Sequence, residues 1–193
     1  MKKITLSLAV SLMIVSAVAG IGIGYWLTPQ YRLSMYDKNV MDLGQPDKWV
    51  DLRYIDAMIA HHRGAMLLAR EAENSRRPEI RQLASDIQKD EPPNIDELYR
   101  WKKAWYGDVH SVRDPLVPHL GAYDGTFDLR FLNALIAHHR NGILMTREIR
   151  LKSSRSEVLD NADKVEQFLS GGVAMLGDWR KNWYNVSAPQ PAP

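Results

Sequence analysis

Apolar residues recur every three or four positions along two long stretches of the chain. In the first, residues 54–72 (YIDAMIAHHRGAMLLAREA), they occupy positions 55, 58, 59, 62, 65, 66, 69 and 72 when the histidine at 62 is counted as inward-facing. This spacing has the period of an α-helix and not the alternation of a strand. We predict a helix that begins near Pro46 and Asp47 and ends near Asn74 and Ser75. A second helix should follow at Pro78, a residue that suits the first turn.

The same pattern returns as an internal repeat. Residues 131–149 (FLNALIAHHRNGILMTREI) align without gaps on residues 54–72, and the later WRKNWYN resembles the earlier WKKAWYGD. Two helices in each repeat predict four helices, none of which can bury its apolar face alone. The predicted fold class is therefore all-α, a four-helix bundle built from two tandem helical hairpins. Its parts are repeat one (46–107), a loop that crosses over the bundle (108–124) and repeat two (125–185).

The second helix of each repeat carries a weak point. Pro92-Pro93 in one and Gly171-Gly172 in the other should interrupt the helix, so each is expected to bend ahead of the tryptophans that pack the bundle ends. Residues 154–157 (SRSE) have the pattern of a capping box that begins the last helix.

Both ends of the chain lie outside the predicted bundle. Residues 1–28 place Lys2 and Lys3 before a long uncharged apolar run, typical of a secretory signal or of an uncleaved membrane anchor. A buried helix of the domain is the third alternative. The first two interpretations export the rest of the chain, so we expect a periplasmic protein that is anchored in the inner membrane if the segment is kept. Residues 29–45 would then be a tether and 186–193 a disordered tail.

Composition excludes several kinds of site. The 193 residues include no cysteine, which rules out disulfides, thiolate metal sites and thiol catalysis. The net charge of +2 includes the two N-terminal lysines, so no basic stripe for nucleic acid is indicated. Because no acid–base pair or cofactor fingerprint is visible, we expect a protein that is not an enzyme.

Each repeat places a His-His pair within the apolar pattern of its first helix. Neighbouring helical residues point about 100° apart, so we expect His62 and His139 to face the interior, with His61 and His138 at the edge of the apolar face. Imidazole and thioether together favour Cu(I) and its relatives over Mg²⁺, Ca²⁺ or Mn²⁺. The candidate ligands are His61, His62, His138, His139, Met58, Met66 and Met145. The alternative is that these histidines hydrogen-bond within the core and the methionines fill it.

Asp51 and Asp128 occupy matching places on the His-bearing faces. Each lies about 15 Å along the helix from the first histidine of its own pair, so it could orient only a histidine of another helix. The alternative is a helix-start charge that favours the dipole. Di-iron and zinc centres fit poorly, because Glu-x-x-His and His-Glu-x-x-His are absent from the sequence.

These motifs resemble a known family. The phrase Asp-x-x-Phe/Tyr-(Ile/Leu)-x-x-(Met/Leu)-Ile-x-His-His, with a later Trp-x-x-x-Trp-Tyr, is similar to the uncharacterised domain family 305 over about residues 48–185. The resemblance implies a ferritin-like fold and, as in periplasmic copper-binding members of the CopM type, binding of copper or silver. By position, the implied ligands are Met58, His61, His62, His138, His139 and Met145. The chain departs from the family where Leu68 and Leu135 stand at methionine positions. It departs again at Glu91, Asn94, Leu98, Leu169, Gly172 and Leu176, where the family shows Gln and Glu and then Met.

Two functions of different classes follow. The first is a copper or silver protein that buffers Cu(I) or passes it on. Its partners would be the metal ion, the inner membrane, and a copper-handling protein or a second copy of the chain. The second is a membrane-anchored helical interaction module with structural His pairs, which would show no copper-dependent rise in melting temperature.

Overall fold

Four helices make up most of the part of the chain that the structure describes. The computed structural model describes residues 43–186. Within that range α1 spans Val50–Ala72, α2 spans Pro78–Tyr106, α3 spans Phe127–Arg150 and α4 spans Ser156–Tyr184, and no strand occurs. The predicted all-α fold is confirmed.

Several sequence-based assignments fall outside the described residues. These are the signal or anchor at 1–28, the tether up to residue 42 and the tail from residue 187. Of the four helices described, none has both the length and the apolar character needed to cross a membrane.

The helix starts follow the predictions only in part. α2 begins at Pro78, in the expected first-turn position, and α1 begins and ends a few residues inside its predicted limits. The predicted capping box is wrong, because α4 begins at Ser156 after an N-cap at Arg155 and no side chain caps it. Instead, Ser153 Oγ accepts the backbone N–H of Arg155. The turn before α4 is therefore closed upstream of the residues that a capping box would use.

The predicted interruptions do not break the second helices. α2 continues through Pro92 and Pro93, and α4 continues through Gly171 and Gly172. A proline has no N–H to donate to the carbonyl of the preceding turn. A long helix that packs along its partner retains enough other contacts to continue. The bend itself stays a prediction.

The helices pack as two hairpins joined along α1 and α3. α1 packs on α2, α3 packs on α4, and the hairpins meet chiefly through α1 and α3. One apolar cluster gathers the end of α1 and the start of α3 around Leu68 and Phe131. The other gathers the start of α1 and the end of α3 around Ile59 and Ile149. The middle of the α1–α3 contact lies between these clusters and is flanked by α2 and α4.

An arginine contact joins the hairpins at one end of the bundle. Arg155, in the turn before α4, places its Nε 3.1 Å from Oδ2 of Asp51 at the start of α1. Its guanidinium also lies 4.2 Å from the ring centroid of Trp105, near the end of α2, within cation–π range. The second hairpin is thereby tied to both helices of the first.

The matching contact at the other end corrects the predicted role of the aspartates. Asp128 accepts a 2.6 Å hydrogen bond from Ser75 Oγ and lies 3.5 Å from Nε of Arg77. The Arg77 guanidinium lies 4.2 Å from the ring centroid of Trp183. Asp51 and Asp128 therefore anchor helix starts to the opposite hairpin, and neither is hydrogen-bonded to a histidine within residues 43–186. The tryptophans pack the bundle ends, as predicted.

Candidate metal-binding site

The four histidines of the two repeats meet at the middle of the bundle. The rings of His61 and His138 stack across the α1–α3 contact, with their centroids 3.8 Å apart and their planes 6° apart. The ring centroid of His62 lies 6.1 Å from that of His61, and the centroid of His139 lies 6.0 Å from that of His138. The two His-His pairs therefore form a single cluster, which we call the histidine cluster.

The inner histidines of the cluster are His61 and His138 and the outer ones are His62 and His139, which is the reverse of the prediction. We expected His62 and His139 at the centre, but His61 and His138 occupy it and are only 4% and 1% exposed. The physical reason is that the apolar arc of α1 packs against two helices. Its centre faces the space between α2 and α3, so His61 falls on the α3 side and His62 on the α2 side.

The histidine cluster lies at a cleft of about 930 Å³ between α2 and α4, and all four histidines line that cleft. The other charged residues that line it are six carboxylates and one lysine: Asp86, Asp90, Glu91, Glu97, Glu157, Asp160 and Lys164. A cleft lined mainly by charge of one sign concentrates ions of the opposite sign. This cleft should therefore attract cations.

Six imidazole nitrogens of the histidine cluster are buried without a hydrogen-bond partner. They are both nitrogens of His61, both nitrogens of His138, Nε2 of His62 and Nδ1 of His139. A buried polar atom left unpaired costs about 1–3 kcal/mol. Such atoms are few in native cores, and an ion is one of the explanations for them. The donor atoms present therefore fit a metal ion.

Burial keeps the rings of His61, His138 and His139 neutral. Desolvation lowers the pKa of His61 and of His138 well below the usual range, and the neighbouring imidazoles lower it further. Desolvation also lowers the pKa of His139 to about 4, although the charge of Glu91 opposes that shift. Neutral imidazole carries the lone pair that binds metal ions. These three rings are therefore in the form that coordination requires.

His62 has a carboxylate partner that sequence analysis did not assign to the site. Its Nδ1 lies 2.6 Å from Oε2 of Glu91 on α2. The two side chains are only 9% and 14% exposed, so water scarcely reaches the pair. The sequence did contain a signal for this role. Glu91 lies in the segment before the tryptophans where the family that the chain resembles has polar residues.

Two helical glycines make room for the rings. A methyl group on Gly142 would lie 2.7 Å from Cε1 and Nε2 of His61 and 2.4 Å from Leu169. A methyl group on Gly172 would lie 2.5 Å from Cδ2 and 2.6 Å from Nε2 of His139. These distances are well inside van der Waals contact, which begins near ~3.5 Å. Any larger residue at either position would have to displace a histidine.

The predicted thioether ligands do not line the cleft. Met58 and Met145 are buried in the apolar cluster around Ile59, and Met66 packs against both apolar clusters. Met175 of α4 lines the cleft instead and is 38% exposed. Within residues 43–186, no three His, Asp or Glu side chains are already arranged to hold a metal ion.

The loop histidines lie outside the histidine cluster. His110 and His119 have side chains 90% and 96% exposed, and their Nδ1 atoms contact Asp108 and Glu71. They offer matched controls for any experiment on the four buried histidines.

Comparison with known families supports the resemblance drawn from the His-His phrase. The model of the domain of unknown function DUF305 matches residues 51–125, which include α2 and all of α1 except its first residue. The family resemblance is thereby confirmed. A comparison with curated proteins finds no match.

Solved structures of CopM share the fold. CopM in its Ag-bound form, prepared by co-crystallization, is 26% identical with a TM-score of 0.62, over 69% of this chain and 97% of CopM. The Cu(I)-bound form is 26% identical with a TM-score of 0.62, over 71% and 99%. The apo form is 27% identical with a TM-score of 0.61, over 69% and 98%. The fold of residues 43–186 is therefore CopM-like.

Proposed function

We propose that this chain, which carries a DUF305 domain and a CopM-like fold, binds Cu(I) or Ag(I) through its histidine cluster and buffers the ion or passes it on. The observation that carries the proposal is the convergence of six buried, unpartnered imidazole nitrogens at one cleft. Coordination would supply the partner that each bound nitrogen lacks. The proposed role is binding and not catalysis.

The donor set favours a soft or borderline ion. Imidazole suits copper, thioether selects Cu(I), and oxygen ligands would be needed for Mg²⁺ or Ca²⁺. Met175 is the methionine at the cleft, and we assign it as the thioether candidate ahead of Met58, Met66 and Met145. The stacked rings of His61 and His138 are nearly parallel, so they must turn apart before both can direct a nitrogen at one ion.

The comparisons support this choice of ion. The CopM structures that share the fold at 26% identity include silver-bound and Cu(I)-bound forms. This similarity supports copper or silver as the ion that the chain binds.

We assign the protein to the periplasm, held at the inner membrane or released from it. Support comes from residues 1–28, where two lysines precede a long apolar run. In that location a copper-handling protein is the expected recipient of the ion.

The test is an anaerobic titration of the purified full chain in detergent with Cu(I), against a competing chelator. We expect the wild type to withdraw Cu(I) from the chelator and the variant with His61, His62, His138 and His139 changed to Ala to fail, with its helical circular dichroism retained. The control variant changes His110 and His119 to Ala and should bind like the wild type. Equal binding by all three proteins contradicts the proposal.

The second candidate is an interaction module in which the histidines serve packing. The close stacking of His61 on His138 inside the α1–α3 contact favours it. A ligand that binds only the folded state must raise its stability. A melting temperature that stays unchanged with Cu(I) or Ag(I) would therefore support this function over the first.

A further inference from the structure

The histidine cluster is not symmetric, because only His62 has a fixed hydrogen-bond partner on its ring. Glu91 Oε2 lies 2.6 Å from Nδ1 of His62. A carboxylate can only accept, so Nδ1 must carry the proton and donate it. The second nitrogen of the same ring, Nε2, is buried and has no partner.

The corresponding place in repeat two has lost the carboxylate. Aligning the Trp-x-x-x-Trp segments of α2 and α4 sets Glu91 against Leu169 and Asn94 against Gly172. Consistent with this, Nδ1 of His139 is buried and has no partner. Nothing on the α4 side selects which nitrogen of His139 is protonated.

We propose that Glu91 is a positioning residue for the metal site, which locks His62 with its proton on Nδ1 and so presents Nε2 to the ion. This assignment rests on the proposed metal-binding function. A carboxylate behind a ligating histidine fixes the tautomer and the ring orientation and makes the ligand more basic. His62 is then the preorganised ligand of the cluster, and the three other histidines complete the coordination by moving.

The first readout needs no metal. In the apo protein at pH 8, where an ordinary imidazole is neutral, ¹⁵N-edited long-range spectra report which nitrogen of each histidine is protonated. We expect His62 to be protonated on Nδ1 in the wild type. In Glu91→Leu, which copies the residue of repeat two, a population protonated on Nε2 should appear. A wild-type His62 protonated on Nε2 overturns the proposal.

The second readout is Cu(I) affinity, measured by chelator competition on the full chain. Glu91→Leu should weaken binding about 10- to 100-fold, and Glu91→Gln, which retains an acceptor oxygen, should lose less. Asp86→Asn is the matched control, because it removes one carboxylate from the same cleft without touching His62, and it should stay within about twofold of the wild type. Equal losses of Cu(I) affinity in Glu91→Leu and Asp86→Asn would overturn the proposal. The loss would then come from the reduced negative charge of the cleft and not from the contact with His62.

The two readouts separate this assignment from the function on which it rests. A wild-type chain that binds neither Cu(I) nor Ag(I) overturns the proposed function. The tautomer of His62 in the apo protein still decides whether Glu91 positions the ring. Circular dichroism of each variant excludes unfolding as the cause of any loss.

Discussion

At its ends the hairpin of α1 and α2 closely matches the hairpin of α3 and α4, but along the cleft the two present different side chains. Arg155 joins Asp51 to Trp105, and Arg77 joins Asp128 to Trp183, in nearly the same geometry. At the cleft, repeat one offers Glu91 to its outer histidine, whereas repeat two has Leu169 at that place.

The difference separates what the fold needs from what the site needs. Each end contact holds one hairpin to the other, and the same kind of contact occurs at both ends of the bundle. The fold does not require matching side chains along the cleft, so the two repeats can differ there. One carboxylate, Glu91, is enough to distinguish His62 from His139. Four predictions test this contrast, from the largest expected effect to the smallest.

Acid should destabilise the fold through the buried histidines. The pKa of His139 in the folded protein is about 4, below the ordinary 6.5, and that of His61 and His138 is lowered as well. The unfolded chain therefore binds more protons, and the free energy of unfolding falls as pH drops from about 6.5 through about 4, by roughly 3 kcal/mol for His139 alone. Denaturant unfolding between pH 7 and pH 4 measures the fall. His139→Gln should flatten it and His110→Gln should not, and equal slopes in these two variants would contradict the account.

A methyl group beside the inner histidine should be tolerated in one repeat and costly in the other. Repeat one already has Ala65 at the place of Gly142, whereas a methyl on Gly142 would collide with His61 and Leu169. Gly142→Ala should therefore lower the free energy of unfolding by about 1–3 kcal/mol. Gly171→Ala meets nothing within 4 Å and should gain up to about 1 kcal/mol from helix propensity. A stabilised Gly142→Ala variant would show that the ring moves freely.

The outer histidines should contribute unequally to metal binding. His62 is held by Glu91, whereas Nδ1 of His139 has no partner, so only His62 avoids the cost of ordering its ring on binding. Removing His62 should weaken Cu(I) binding about tenfold more than removing His139, a difference of about 1.4 kcal/mol. Chelator competition on His62→Ala and His139→Ala measures the ratio. A ratio near one would mean that the two repeats are equivalent at the metal.

The end contacts should contribute equally. Each arginine makes one ion pair and one close cation–π contact with a tryptophan at a partly exposed site, and Arg77 also lies 5.7 Å from the ring centroid of Tyr184. Arg77→Ala and Arg155→Ala should therefore each cost about 1 kcal/mol. Urea unfolding of both variants tests the match. A cost confined to one end would break the equivalence of the two hairpin ends.

Much of this architecture could be predicted from periodicity. The 3.6-residue pattern and the repeated His-His phrase predicted four helices with one His pair in each repeat, because a helical face and a duplication are visible in the sequence. They left open whether the two pairs share one site. The order of the histidines was wrong because a wheel drawn for α1 alone gives the centre of its apolar arc, and that arc is shared between α2 and α3. The capping box was wrong because Ser153 Oγ accepts the N–H of Arg155 and α4 begins one residue later than the box requires.

Glu91 and Met175 were missed because they belong to the cleft only through the register of each hairpin. Which turn of α2 meets His62 depends on the length of the α1–α2 turn and on packing over many residues. Asp51 and Asp128 differ from Glu91 and Met175, because their positions at the helix starts could be predicted from the sequence. Their arginine partners were not visible, because Arg155 lies 104 residues from Asp51 and Arg77 lies 51 residues from Asp128 along the chain. These contacts form only when the hairpins pack.

The central claim is that histidines of both repeats bind one ion, and ¹⁵N-edited histidine spectra during a titration with Ag(I) test it most directly. The account predicts that the ring signals of His61, His62, His138 and His139 change together and are complete at one equivalent, while His110 and His119 stay unchanged. Changes confined to the exposed loop histidines, or none in the four buried rings, would contradict it.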